Sequence, residues 1–538
     1  MRNFTKKAFA VMLVLLVAMT CVFAQSIYEV KHGDLYGKTV ILHSNDVHGA
    51  IEGYAKMASL RDQFLAREAE VIVVDAGDYI RGTSYVNIPK GVSAVALMNA
   101  AGYDMSALGN HEFDFGYEHL KEIMADAQFH VLCADVFDAD GNPIFPAYAV
   151  YKSASGLKIG IFALSTPETQ TKVNPVLIQG LQFVATDELY SIAQECVNAL
   201  RLQHDCDLVI CLAHLGIDGE SMGNRSIDVL GNTKGIDFLI DAHSHSVFSG
   251  YEGYEMQQTG TQFANIGVII IDNKTAEIED YYLLDTAPIS PDPEVLALAK
   301  SIEAEVDAAW GIKFAESKVE LNGEKAPGNR TEETNNGDLI TDAMLWFAAG
   351  DSSAIHVPVE NIVAITNGGG IRAWIHAGDV TMKDVNDVLP FGNTVTVVYL
   401  TGAELLEALE ASTFCTPDKI GGFPQVSGLK YTIDTTKAYD PQPEAYPGST
   451  YYGPASINRV TIDEINGNAF DPDATYAIVT NDFCSNGGDT FYAFLAATDK
   501  FDTSVPLDEA LMQYITEVLS GVIGEEYAEP QGRITIIQ

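Results

Sequence analysis

Short apolar runs rich in Val, Ile and Leu recur from Thr39 to about Asp285, with helix-like stretches between them. TVILHS, VIVVDAGD, KIGIFAL, LVICLAHLG and IDFLIDAHSH carry few polar residues before their last positions. That is the pattern of strands buried on both faces. YAKMASLRDQFLAREAE and DELYSIAQECVNALRLQH show apolar residues at helical spacing and charged opposite faces. Such alternation predicts an α/β domain. PISPDPE (288–294) is a Pro-rich break, and Val295 to Trp310 then reads as a helical connector. A second alternating region runs from about Val319 to the end. The predicted units are therefore 38–287, a connector 288–318, and 319–538.

The N-terminus follows a different pattern. Basic MRNFTKK precedes apolar AFAVMLVLLVAMTCVFA, and VFA-QS offers small-residue cleavage after Ala24. Residues 1–24 are predicted to be a secretory signal peptide. The apolar run is marginal for a membrane span, and no other stretch reads as one. Cys21 offers a weaker alternative, a lipidated N-terminus, with Thr20 a poor residue before it. The expectation is an exported chain, periplasmic or secreted. Export permits disulfides, but the remaining cysteines have no CxxC spacing, and Cys133 and Cys211 sit in apolar runs that suit buried thiols.

At 538 residues the chain exceeds one ordinary core. Its formal net charge of −43 repels nucleic-acid polymers. Small anionic substrates stay open, because a cleft can carry its own metals and arginines.

Candidate chemistry gathers where the apolar runs end. VILHS leads to Asp46 and His48, and VIVV leads to Asp75 and Asp78. MSAL leads to Asn110, His111 and Glu112, with Asp114 beyond. LVICLA leads to His214, and DFLIDA to His243 and His245. Ligand-binding groups of α/β sheets collect beyond the carboxyl ends of strands. Taken singly, Asp46 suits a turn, Asp78 a cap, Asn110 a left-handed turn and His214 a packed core. His243 and His245 would share a face if their strand continued. An accident at all five ends is harder to accept: five of the twelve histidines fall there, while His43, inside its strand, reads as structural. Carboxylate, imidazole and amide donors without thiolates suit zinc, manganese, cobalt or iron. Their number exceeds one tetrahedral ion and suits two divalent metals sharing Asp46 or Asp78.

In this order the blocks Asp46-x-His48, Gly77-Asp78, Gly109-Asn110-His111-Glu112, His214 and His243-x-His245 resemble the calcineurin-like metallophosphoesterase signature. Ala242 stands where that family usually has Gly. ETNNGDLITDAM, NGGGIR, LPFGN, FPQVSG and NGGDTF in the second half resemble the C-terminal domain of exported 5′-nucleotidases. The resemblance implies a four-layer α/β/β/α sandwich joined by a helical connector to an α/β nucleotide-recognition domain. It implies one metal on Asp46, His48, Asp78 and His245, and another on Asp78, Asn110, His214 and His243, with Asp78 the bridge. It makes His111 a non-ligand facing the phosphate, oriented by Asp114. Glu112 matches the motif without a physical role. Phe391 and Phe483 are expected to stack the base, Asp489 to hold the ribose hydroxyls, and Arg372, Asn367 and Asn393 to lie around the nucleotide. Arg330, three residues before Glu333, is a further substrate candidate; some members carry that arginine at the position of Glu332. The implied activity is release of phosphate from nucleoside 5′-monophosphates by a metal-activated water. 2′,3′-Cyclic phosphodiesterase with 3′-nucleotidase activity, UDP-sugar pyrophosphatase, and a non-catalytic nucleotide-binding surface protein are the alternatives.

Overall fold

A computed structural model describes residues 35–350 and 355–538. The predicted leader, with Cys21, lies outside them. No helix among the described residues is long and apolar enough to cross a membrane.

Six strands position the chemistry: β1 (Lys38–Ser44), β2 (Glu70–Asp75), β3 (Met105–Ser106), β4 (Lys158–Ser165), β5 (Leu208–His214) and β6 (Phe238–Asp241). β1, β2 and β3 run parallel in one six-stranded sheet, closed on the far side of β1 by antiparallel Asn265–Asp272 and Glu277–Asp285. β4, β5 and β6 run parallel in a second six-stranded sheet.

The period-2 alternation assigns the layers. Ile41, Ile72 and Val74 from the first sheet meet Ile210, Leu212 and Ile240 from the second in one apolar layer. Val40, Leu42 and Val73 point the other way, onto the outer helices that include Gly53–Leu65. Val209, Cys211 and Leu239 do the same on the far side, against Thr186–Asn198. Two sheets face to face with helices outside give the expected α/β/β/α order. The MSAL strand is shorter than its apolar run: only Met105 and Ser106 pair, and the backbone then leaves the sheet to carry Gly109 toward Asp78.

The connector helix, α1 (Pro293–Trp310), starts two residues before the expected Val295. Asp292 caps it, its carboxylate accepting from Glu294 N at 3.0 Å and Val295 N at 2.9 Å, and Pro293 sits at the first helical position. The second domain is built on a five-stranded mixed sheet that contains Ile362–Asn367, Thr394–Thr401 and Thr475–Asn481. Its helix α2 (Met382–Val388) docks on the first domain. There Asp387 accepts from Ser84 N at 2.6 Å, and Lys383 Nζ donates to Tyr85 Oη at 2.8 Å and to Asp307 Oδ1, on α1, at 2.7 Å. All six described cysteines are free thiols, and Cys133 and Cys211 are buried, as their apolar runs suggested.

Candidate active site

The carboxyl ends of β1, β2, β3, β5 and β6 meet at one edge of the sandwich. Two clusters form there: Asp46, His48 and His245, and Asp78, His214 and His243, the ligand atoms of each within 4.8 Å of one another. The histidine pair of the second sheet therefore divides between the clusters. The strand does not continue through His-Ser-His. β6 ends at Asp241, and His243 and His245 take left-handed φ values of 73° and 54°. Asp46, His48 and Asp78 are left-handed as well, with φ of 48°, 45° and 66°. Such conformations are strained for side chains of this size and concentrate at functional sites.

Hydrogen bonds assign which atoms are left over. Asp46 Oδ2 accepts from His243 N at 3.0 Å and from Asn45 Nδ2 at 2.7 Å, while Oδ1 has no hydrogen bond and lies 3.4 Å from His245 Nε2 and 3.8 Å from His48 Nε2. Asp78 Oδ1 accepts from His111 N at 2.9 Å. Its Oδ2 lies 3.2 Å from His214 Nε2 and 3.7 Å from His48 Nε2, between the clusters. His48 Nδ1 donates to Arg81 O at 3.1 Å and His214 Nδ1 to Ala76 O at 2.8 Å, so each presents Nε2. His214 Nε2 and Asn110 Oδ1 are buried without hydrogen-bond partners. Buried polar atoms of this kind are costly unless something pairs with them. Burial, the largest influence on His214, opposes a charge there, yet Asp78 and Asp46 pull its pKa up to about 10. A thiolate-free set of two carboxylates, four imidazoles and one amide, with converging orphan atoms, fits two divalent cations.

Glu112 has a definite structural task that the sequence did not reveal. Its Oε2 accepts from Asp78 N at 2.8 Å and Gly109 N at 2.6 Å, and its Oε1 from Tyr79 N at 2.8 Å and Ile80 N at 3.3 Å. It clamps the loop that carries Asp78 to the loop that carries Asn110 and His111. The approach is so close that a Cβ on Gly109 would fall 2.2 Å from Asp78 Oδ1.

His111 stands beside the clusters, its Nδ1 2.6 Å from Asp114 Oδ2. The buried Arg81 guanidinium lies 3.3 Å from the same oxygen and is sandwiched between the Phe115 ring at 4.5 Å and the Phe391 ring at 4.7 Å. Phe391, from the second domain, also stacks on His111 at 5.9 Å between ring centroids.

One cavity of about 260 Å³ joins the two halves. Asp78, Asn110, His111, Asp114, His243 and His245 line one side, and Arg330, Asn367, Arg372, Phe391, Asn393, Phe483 and Asp489 the other. Asp489 is held by Asn367 Nδ2, which donates to its Oδ2 at 2.9 Å, so Asn367 supports the carboxylate from behind. Lys172, Lys325 and Lys419 also line the cavity, and Lys325 Nζ reaches within 3.3 Å of His245 Nδ1. Sequence reading missed these three, because an isolated lysine has no motif. With Arg330 and Arg372 they put five basic side chains around a cavity that Asp78, Asp114, Asp218 and Asp489 also line, in a chain of net charge −43.

Residues 39–247 match the calcineurin-like phosphoesterase family, and residues 313–496 match the 5′-nucleotidase C-terminal domain. The solved 5′-nucleotidase precursor of Thermus thermophilus is 30% identical, with a TM-score of 0.76 over 93% of this chain and 99% of that one. The 5′-nucleotidase of Vibrio cholerae is 27% identical over 84% of this chain and 86% of that protein. A trifunctional nucleotide phosphoesterase of Bacillus subtilis is 28% identical over 92% of this chain, which spans only 34% of that longer protein. Fold and comparisons together define a two-domain, metal-dependent phosphoesterase, a hydrolase. The chain belongs to the 5′-nucleotidase family, in which a calcineurin-like domain is followed by the 5′-nucleotidase C-terminal domain.

Proposed function

We propose that this chain is an exported phosphohydrolase that releases phosphate from nucleoside 5′-monophosphates across the cleft between its two domains. The observation that carries this reading is that one cavity is lined by members of both clusters (His245 of one, Asp78 and His243 of the other), by His111 and Asp114, and by Phe391, Phe483 and Asp489. Asp46, His48, Asp78 and His245 would hold one divalent cation, and Asp78, Asn110, His214 and His243 the other. When bound, such a pair supplies Lewis-acid polarisation of the phosphoryl group and acidifies water to give the nucleophile.

The remaining work belongs to the chain. Asp114 accepts the Nδ1–H hydrogen bond of His111 and fixes the ring, so Nε2 serves the phosphate, donating to a phosphoryl oxygen or to the leaving 5′-oxygen. Phe391 and Phe483 offer ring faces to the base, and Asp489 accepts from the ribose hydroxyls. Arg330 and Arg372 neutralise phosphate charge and help to exclude water. A nucleotide-sugar or polyphosphate substrate is the second reading, favoured by Lys172, Lys325 and Lys419, which exceed what one phosphate needs. Export rests on the leader-like residues 1–24.

Chromatography of nucleotide products together with phosphate release, for AMP, UMP, ATP, UDP-glucose, 2′,3′-cAMP and 3′-AMP with Zn²⁺, Mn²⁺ or Co²⁺ added, tests the reading. Turnover of AMP or UMP above the rest is expected. Preference for UDP-glucose or ATP would favour the second reading. Nucleotide binding without hydrolysis of any substrate would make the chain a binding protein.

A further inference from the structure

Glu168 sits outside every motif above, yet it is fully buried beside the second cluster. It immediately precedes the helical turn Thr169–Lys172, after β4. Its Oε2 lies 3.1 Å from His243 Nε2 and 3.9 Å from Lys172 Nζ, and its Oε1 has no hydrogen-bond partner. A buried carboxylate costs stability unless paired, so its presence needs a reason.

The cluster histidines supply one. His48 and His214 each donate Nδ1–H to a backbone carbonyl and present Nε2. His243 is turned the other way: its Nε2 faces Glu168, so its Nδ1 is the atom left for a ligand. The left-handed backbone of His243, pinned by its N–H on Asp46, sets up this reversal. The turn that follows Glu168 is itself held from the second domain. Asp489 N donates to Thr171 O at 2.6 Å, and Asn174 Nδ2 donates to Asp482 Oδ2 at 2.7 Å. Glu168 is thereby kept in place from both sides of the cleft.

We infer that Glu168 is a positioning residue for the second cation, fixing His243 as the Nε2–H tautomer so that Nδ1 is the donor. This rests on the two-cation reading above. A carboxylate behind a ligating imidazole fixes its tautomer and raises its basicity, and loss of such a partner costs about 10–100-fold in metal affinity.

The test is titration of EDTA-stripped full-length protein with Mn²⁺ and Zn²⁺ by calorimetry, with bound metal counted by elemental analysis. Wild type should take two cations. Glu168→Ala should keep one site at wild-type affinity and lose about 10–100-fold at the other. Glu168→Gln, whose amide oxygen still accepts from Nε2–H, should restore most of that loss. If wild type binds fewer than two cations, the two-cation reading itself fails. If wild type binds two and Glu168→Ala matches it at both sites, only the role of Glu168 fails. Equal loss in the Ala and Gln variants would instead assign Glu168 to its ion pair with Lys172 and overturn the inference. Long-range ¹H–¹⁵N correlation on histidine-labelled, Zn²⁺-loaded wild type is independent of whether the variants fold. It should show His243 protonated at Nε2, and protonation at Nδ1 would overturn the assignment.

Discussion

Replacing Glu112 with Gln changes one oxygen to an amide nitrogen at nearly constant volume. In the wild type each carboxylate oxygen accepts from two backbone N–H groups: Asp78 and Gly109 on one, Tyr79 and Ile80 on the other. Whichever way the amide turns, one pair of donors meets an NH₂ group. Each buried donor left unpaired costs about 1–3 kcal/mol, so the loop loses about 2–6 kcal/mol. That loss falls on the turn that holds Asp78 at a left-handed φ of 66°. If the loop recovers its shape only when cations bind, the cost is taken from their affinity, and even about 2 kcal/mol weakens binding about 30-fold. Calorimetric titration of EDTA-stripped Glu112→Gln with Mn²⁺, alongside urea unfolding, reads both quantities. Wild-type affinity together with an unchanged unfolding midpoint would refute the clamp.

Other outcomes follow from the same geometry. His111→Ala should lower kcat about 10²–10⁴-fold while elemental analysis finds wild-type metal content; loss of bound metal would make His111 a ligand. Phe391→Ala and Phe483→Ala should each raise KM by the equivalent of about 1–3 kcal/mol of base stacking, with metal content unchanged, and steady-state kinetics on AMP against ribose 5-phosphate would isolate the base term. Gly109→Ala places a methyl 2.2 Å from Asp78 Oδ1 and should weaken cation binding at both sites, read by the same calorimetric titration. Burial pushes Asp135 up from 3.8 to about 7, although it accepts from Ser165 N. Below 3.8 folded and unfolded chains both hold that proton; between the two values only the folded chain does, so the Asp135 contribution to stability falls as pH rises, by roughly 4 kcal/mol in full. Urea unfolding of Asp135→Asn should therefore gain on wild type between about pH 4 and about pH 7, and a constant difference across that range would contradict the shift.

Much of this molecule is legible in the sequence because local pattern and burial speak the same language. A strand buried on both faces needs an apolar run, and TVILHS and LVICLAH show one; a helix needs a cap, and Asp292-Pro293 shows that. The chemistry is legible too, since polar residues after apolar runs fall at strand ends whatever the topology. The pairing of those ends is not. His243 and His245 part company only because β6 stops at Asp241 and the backbone turns left-handed, which a period-2 reading of His-Ser-His does not contain. Glu112 looks like a fourth site group, but its partners are N–H groups from a loop more than thirty residues away in sequence. Lys172, Lys325, Lys419 and Glu168 acquire meaning only from what lies opposite them.

Which segments are strands, which residue types carry the chemistry and which family the motifs resemble can all be read along the chain, because they depend on composition and spacing. Which histidine serves which cluster, which ring nitrogen each presents and which cationic side chains face the cleft come from the folded arrangement alone. Those depend on distances of about 3–4 Å between atoms far apart in sequence, and only packing sets such distances.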